Sequence, residues 1–516
     1  MAILHQTLEL CSWCDDYCLY GLWDACRHRK GNKALPHRQV HQGNWAGTGL
    51  ISAVEDEDQY RMNSCANPVV GWLSRLRERY SPSGSLRWYA LSGSIWSVIG
   101  SLVSRIFTLA SAVVIARIIG KVGYGKWGLI LQTVTLFGRF AIIGVVQTGT
   151  KHIAELRKTD PNRAGRSISL VLIFGLIFSL VMGVCCVVLA PTVAENLFGV
   201  SELAFPLALG GLMLVAMVMT QALQGALAGF MAFRSIASSN LVQGITLIAL
   251  VWPLTANFGL VGVVVTMTLS WMGGGLFCLA VLIKQCHLYR IPLGFHGIWS
   301  ERKILWNYTT PGMLIAVVMG PAMLLSQAIV AHIPSGLAGL GGFNAASRWR
   351  MVVLFVPIAV RRVTLSILSE MWGRRDYRRL VKALWTNVGM VGGVAFAVAV
   401  PVMLLSPWIM SMYGASFRSD WDLLVLLAAA AVFQAINDVV TQVAMCAEKV
   451  WWTFFIHVIW GAQLLGCTYL LVPFWGVRGL VWAWVATTIV HMLLNILAAT
   501  VIIKRLSMVE KVQRDQ

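Results

Sequence analysis

Arginine is the residue least welcome in hydrocarbon, and this chain places Arg105, Arg139, Arg348, Arg350, Arg361 and Arg362 inside its most apolar stretches. At a bilayer centre each costs about 2.5–3.5 kcal/mol on insertion scales, so such residues turn towards a bundle interior or a watery cavity. Arg105 falls mid-stretch, where snorkelling is least available, whereas Arg139 stands nearer a span end and can partly snorkel. Arginine pairs also bracket Met351–Val360, an apolar run too short to cross a membrane by itself. On a continuous helix Arg350 and Arg361 share a face about 16 Å apart. A ladder of positive charge suits an anion passing along it. The alternatives are a tilted helix whose arginines reach headgroups, or arginines bonded to carbonyls between helices. Arg105, Arg139, Arg348, Arg350 and Arg361 are the expected lining of an anion-binding cavity.

Acidic residues in the apolar stretches are fewer. Asp438 is the clearest, with Gln434 and Gln442 one helical turn to either side, so the three form one polar stripe. A lone intramembrane carboxylate binds a coupling proton or sodium ion, or serves as an arginine's ion-pair partner. Glu370 reads as interfacial, and His332, His457 and His491 as interface or packing residues. Pro311 and Pro321, flanked by Gly312 and Gly320, remove local helix bonds and mark a candidate gate or hinge. Cys11, Cys14, Cys18 and Cys26 are spaced C-x2-C-x3-C-x7-C, with Cys65 later. Metal binding is conceivable there, but the spacing matches no familiar zinc pattern, and neither a metal nor a cofactor is expected.

The elements that must hold these residues follow from composition. Of 516 residues, 57% are hydrophobic and 12% charged, and mean hydropathy is +0.71. Soluble domains carry about 25% charged residues. Half that cannot cover a water-facing surface, so the chain reads as all-α and polytopic in a membrane. Net charge is +19, but the basic residues sit in loops and at span ends, the pattern of insertion beside anionic lipid rather than of nucleic-acid binding.

Apolar segments long enough to span recur from Leu91: 91–116, 124–148, 167–190, 204–228, 236–255, 259–283, 304–330, 339–368, 384–410, 421–445, 450–472 and 479–503, or about 12 transmembrane helices. With the N-terminus inside, inner loops hold Lys151, Arg157, Lys158, Arg163, Arg166 and the basic residues of 284–303 and 374–382. Outer loops hold Arg117, Lys121, Lys126, Arg418 and Arg478. The positive-inside rule then places both termini in the cytoplasm.

The chain also echoes itself. Phe258-Gly259-Leu260-Val261-Gly262-Val263 matches Trp475-Gly476-Val477-Arg478-Gly479-Leu480, and Ala116-Arg117-Ile118-Ile119-Gly120 matches Ala331-His332-Ile333-Pro334-Ser335 at nearly the same offset. The expected organisation is two parallel six-helix lobes, at 89–290 and 291–505, with a cytoplasmic tail at 506–516. Residues 1–88, with the acidic run Glu55-Asp56-Glu57-Asp58, read as a poorly ordered cytoplasmic extension or as an over-called start ahead of Met62. No signal peptide opens the chain.

The run Ala116-Arg117-Ile118-Ile119-Gly120-Lys121-Val122-Gly123-Tyr124-Gly125-Lys126-Trp127-Gly128-Leu129 resembles the hinge between the first two helices of polysaccharide exporters. These are the O-antigen and exopolysaccharide flippases of the multidrug, oligosaccharidyl-lipid and polysaccharide exporter superfamily. Gly342-Phe343-Asn344-Ala345-Ala346 echoes it in the second lobe. The resemblance covers about residues 88–505. It implies a V-shaped pair of bundles around a cationic cavity, in a multi-pass protein of a bacterial inner membrane. It also implies export of an undecaprenyl-pyrophosphate-linked oligosaccharide to the periplasmic leaflet, coupled to a proton or sodium gradient, beside other polysaccharide-assembly membrane proteins. Trp96, Trp306 and Tyr308 could stack on sugars, yet aromatics at span ends are usually interfacial anchors.

Two rivals come from other classes. A multidrug exporter of the same superfamily would carry acidic residues for cationic substrates, and here arginines outnumber carboxylates. A membrane polymerase or ligase would present a large external loop or soluble domain. Asp420-Trp421-Asp422 spells the metal-binding pattern of some glycosyltransferases, but helix-start acids explain it. No G-x-x-x-x-G-K-[ST] loop occurs, so the chain itself is no ATP-driven pump. The expectation is a transporter without catalytic residues.

Overall fold

The structure, a computed structural model, describes residues 86–142, 145–157, 159–292, 302–373, 377–447 and 449–515. Every regular element among them is helical. In chain order they are α1 (Leu86–Ile142), α2 (Val145–Leu156), α3 (Pro161–Thr192), α4 (Ala204–Gly229), α5 (Phe233–Leu288), α6 (Arg302–Ala331), α7 (Gly336–Val353), α8 (Phe355–Gly373), α9 (Tyr377–Leu404), α10 (Ser406–Tyr413), α11 (Trp421–Cys446), α12 (Val450–Trp475) and α13 (Val477–Asp515). Eight helices among the described residues are long and apolar enough to cross a membrane. The N-terminal cysteines, the acidic run and Met62 lie outside the described residues.

Two of the eight are folded double. Helix α5 has 56 residues, which held straight would reach about 84 Å, far beyond a hydrocarbon core of about 30 Å. It bends at Gly259, with φ 53° and ψ −127°, and returns on itself: Thr266 donates to the Leu250 carbonyl and Ser270 to that of Gln243. Gly476, between α12 and α13, has φ 56° and ψ −137°. These are the two glycines that the sequence repeat aligns, and they share one backbone conformation. Side chains with a Cβ are excluded from that region, so glycine is what permits a turn in a single residue.

The sequence placed loops of several residues at these points, and at 117–123, where Gly120 alone (φ 71°) now bends α1. A one-residue elbow leaves its polar neighbours helical, which hydropathy reads as loop. Gly199, Ser335 and Gly414 also carry positive φ, at the turns before α4, α7 and α11. These elbows gather at one end of the bundle, where Gly199 stands beside His332, Gly339 beside Val477, and Arg117 donates to the Met412 carbonyl.

The burial pattern inverts that of a soluble protein. Along α3, Leu180, Val181, Val184 and Val188 are exposed, while Gly175, Ser179, Gly183, Cys186 and Ala190 are buried. Small residues about every fourth position let α3 approach α4, where Gly183 meets the Gly211 backbone. Asp160 accepts from Arg163 N and Pro161 opens α3, so this helix starts earlier than its apolar run at 167. Helices α1 to α5 pack mainly on one another, as do α6 and α9 to α13, and α1 meets α7 and α6 along the seam.

Candidate functional site at a broken helix

The expected single span at 339–368 is two helices, α7 and α8, interrupted at Leu354 with φ −78° and ψ −3°. Pro357 explains the break. It has no N–H to give to the Val353 carbonyl four residues back, and its ring crowds that carbonyl. The Val353 carbonyl is consequently without its helical donor, while that of Arg350 still accepts from the Leu354 N–H. Arg350 and Arg361 therefore stand on two helices and not on one face of a continuous one.

Arginines converge on this break from two directions. Arg105, from the first arm of α1, donates through Nη1 to the Met351 carbonyl at 2.9 Å, and its guanidinium lies 4.9 Å from the Phe355 ring centroid. A cation at a helix C-terminus is stabilised by the helix dipole as well as by the bond. Arg350 is in the last turn of α7. Its Nη1 donates to Gln434 Oε1 at 2.6 Å, its plane stands 4.4 Å from the Trp484 ring, and the Asp438 charge acts on it. The two residue groups that the sequence treated as separate, arginine cavity and acidic stripe, meet here as one cluster. Gln442 stands apart from it, donating back to the Asp438 carbonyl at 2.9 Å.

The cluster retains binding capacity. Arg350 Nε is buried with no hydrogen-bond partner, so part of its donor fork is unspent. A planar guanidinium with spare donors in a low-dielectric setting matches the oxygens of a phosphate or carboxylate.

The remaining predicted residues are dispersed. Arg348 lies against the Tyr124 hydroxyl, at the seam rather than with Arg350. Arg139 is exposed on the second arm of α1. Helix α6 runs through both Pro311 and Pro321 as one element. Glu370 is exposed. The side chains of Arg361, Arg362, Pro311, Trp96, Trp306 and Tyr308 lie outside what the structure describes.

Towards the elbow end the seam is shut, by residues that sequence reasoning passed over. Gly125 of α1 faces Gly341 of α7: a Cβ on Gly125 would stand 1.9 Å from the Leu337 carbonyl oxygen, and one on Gly341 would stand 2.1 Å from that of Lys121. Tyr124 stacks edge-on to Tyr413 and Phe417, with centroids 6.1 Å from each. All three rings are fully buried. Lys121 pairs with Asp420 at 2.7 Å, and Arg478 with Asp422. Both carboxylates of the Asp-Trp-Asp triplet are therefore engaged by basic side chains. The glycines stood in the motif quoted above, at 123, 125 and 128, and a search for small residues at helix-packing spacing would have found the seam.

The ion pair makes a direct prediction. Lys121→Asp sets two carboxylates together in a mostly buried place and should destabilise the closed seam by about 3–5 kcal/mol, read as a lowered thermal midpoint. Adding Asp420→Lys should restore most of that loss. A double variant no more stable than the single one would deny the pair its role.

The described helices form a membrane bundle bent at glycine elbows, with arginines gathered at a broken helix on its seam. A family model described as "Polysaccharide biosynthesis protein" matches residues 90–372, and the chain belongs to that family. It is 22% identical over 389 residues, covering 75% of this chain and 88% of the relative, to the "EPS I polysaccharide export inner membrane protein EpsE" of Ralstonia nicotianae. Among solved structures it is similar to a multidrug resistance MATE family transporter in an inward-facing conformation (TM-score 0.67, 18% identity, 78% of this chain and 95% of that one). It is also similar to the lipid II flippase MurJ in an inward closed conformation (TM-score 0.61, 16% identity, 80% of this chain and 90% of that one).

Proposed function

We propose that this chain moves an undecaprenyl-pyrophosphate-linked oligosaccharide from the cytoplasmic to the periplasmic leaflet of the inner membrane, by ion-coupled alternating access, for export of a surface polysaccharide. The observation that carries the reading is Arg350, held by Gln434, Asp438 and Trp484 with its Nε unspent, at a helix break that Arg105 reaches across the seam. A pyrophosphate is multiply charged, and charge-assisted bonds from a guanidinium offset the loss of its water. Its lipid tail remains in the bilayer while the sugars take a hydrated path.

In this reading α1 and α5 each cross twice and α7–α8 cross once, giving 12 crossings in two lobes, 89–290 and 291–505, with cytoplasmic termini. The Gly259 and Gly476 elbows, alike in backbone angles, support the lobes as repeats. The loop charge bias puts the elbow end at the periplasm, so in this reading the closed seam faces outward. Drug export has the MATE likeness in its favour. The mid-span charges weigh against it, because Asp438, the carboxylate that would attract a cation, is already beside Arg350.

Depletion of the protein from its native cell is the test. Lipid-linked oligosaccharide should accumulate in the cytoplasmic leaflet while surface polysaccharide is lost. Normal surface polysaccharide with heightened drug sensitivity would replace this reading with drug export.

A further inference from the structure

A second polar cluster lies in the core between α11, α12 and α13, and the hydrogen bonds assign a role to each of its atoms. Asn437, His491 and Asn495 are 5%, 8% and 2% exposed, and His457 is half-buried. Asn495 Nδ2 donates to the His491 backbone carbonyl at 3.0 Å and to Asn437 Oδ1 at 2.9 Å. A carbonyl only accepts, which fixes the Asn495 amide and, through it, the Asn437 amide. Asn437 Nδ2 then faces His491 Nδ1 at 3.3 Å. That ring nitrogen must accept, so neutral His491 carries its proton on Nε2. His491 Nε2 is itself buried with no hydrogen-bond partner.

The neighbouring ring has the opposite tautomer. His457 Nδ1 lies 2.7 Å from the Thr453 carbonyl and donates to it, which leaves the His457 Nε2 lone pair bare. The rings stand edge-to-face with centroids 4.8 Å apart. Two cations at that separation repel, so the pair has room for one added proton.

Other ionisable groups on the packed elements are few among the described residues. Helix α11 brings Asp438 beside Asn437, with Asp422 and Cys446 at its ends. Helix α7 brings Arg348 and Arg350; α12 and α13 bring Cys467, Tyr469 and Arg478, all further towards the elbow end. The described side chains of α6, over Val317–Ala331, bring none. Asp438 acts on Arg350 from the helix that also carries Asn437. The bare nitrogen belongs to the histidines.

We propose that His457 and His491 form a one-proton site that couples substrate movement to a proton gradient. This rests on the ion-coupled reading above and names its ion and its seat. The pair connects to the arginine through touching rings: His491 to Trp460 at 6.3 Å, Trp460 to Trp484 at 6.3 Å, and Trp484 to the Arg350 guanidinium. A proton enters at His457 Nε2. Once it reaches His491 Nδ1, that N–H opposes the Asn437 N–H, and the contact between α11 and α13 opens. Helix α11 also carries Gln434 and Asp438, so the proton loosens the groups that hold Arg350.

The test uses the full chain with ring-13C histidine, in detergent and in sealed vesicles holding an undecaprenyl-pyrophosphate-linked oligosaccharide. The resonances that disappear in His457→Gln and His491→Gln should titrate together in the wild type, taking up one proton between them as the pH is lowered. An imposed proton gradient should speed oligosaccharide movement in the wild type, and that stimulation should be lost in both variants. Rings that stay neutral down to the pH at which the wild type unfolds overturn the site, whatever the variants do. Gradient stimulation retained by both variants overturns it equally. If the pair titrates as one while wild-type vesicles move no lipid-linked sugar, the proton site stands and the substrate reading falls.

Discussion

Arg350→Ala is expected to lower export of the lipid-linked sugar by about 10- to 150-fold, the equivalent of one charge-assisted hydrogen bond at about 1.5–3 kcal/mol. Membrane insertion should be intact, because the residue stands in the last turn of α7 and no helix depends on it for its apolar run. The alanine also leaves Asp438 and the Gln434 oxygen without their partner, and some stability goes with it. Arg350→Ala with Asp438→Asn separates the two effects: stability should return and export should not. Arg350→Lys should recover only part of export, since a lysine has neither the fork for Gln434 and an anion together nor the plane that stacks on Trp484. Wild-type export by the alanine variant, measured as surface polysaccharide per cell, would remove the anion site.

The second large effect is expected at Gly125. Even a Cβ there would stand 1.9 Å from the Leu337 carbonyl oxygen, and backbone cannot step aside as a side-chain tip can. Gly125→Leu should hold α1 off α7, at about 1–3 kcal/mol for overpacking, and prevent the elbow end from closing. Export should fall close to background. Lys121, shielded in the closed seam with 17% of its side chain exposed, should become reactive to a membrane-impermeant amine reagent added from outside. Gly125→Ala should lie between wild type and leucine. Unchanged labelling together with unchanged export would mean that the seam does not gate the path.

Much of this fold is written in the chain as hydropathy, because every crossing must be apolar and nearly every polar residue within one must be explained. Asp438, Arg105 and Arg350 stood out for that reason, and the structure gives each a partner. Their joint placement was not legible: Gln434 meets Arg350 across 84 residues of chain, and no local spacing encodes that contact. The break at Leu354 was legible and was passed over, because Pro357 lies in an apolar run that reads as uninterrupted. The elbows were half legible. Glycine repeats marked the positions of Gly259 and Gly476, but a loop and a one-residue turn have the same hydropathy. His457 and His491 looked like packing residues one at a time, and acquire another meaning only through Asn495, one turn along the same helix as His491, and Asn437, 54 residues back from it in the chain.

The most direct measurement reconstitutes the purified full chain in sealed vesicles whose outer leaflet carries a fluorescent undecaprenyl-pyrophosphate-linked oligosaccharide, and follows its protection from a reagent outside. Wild-type protein should transfer the lipid across within minutes, while Arg350→Ala, inserted to the same level, should leave it exposed. Equal transfer by both proteins, or none by either in vesicles where a cationic drug is moved, would contradict the account.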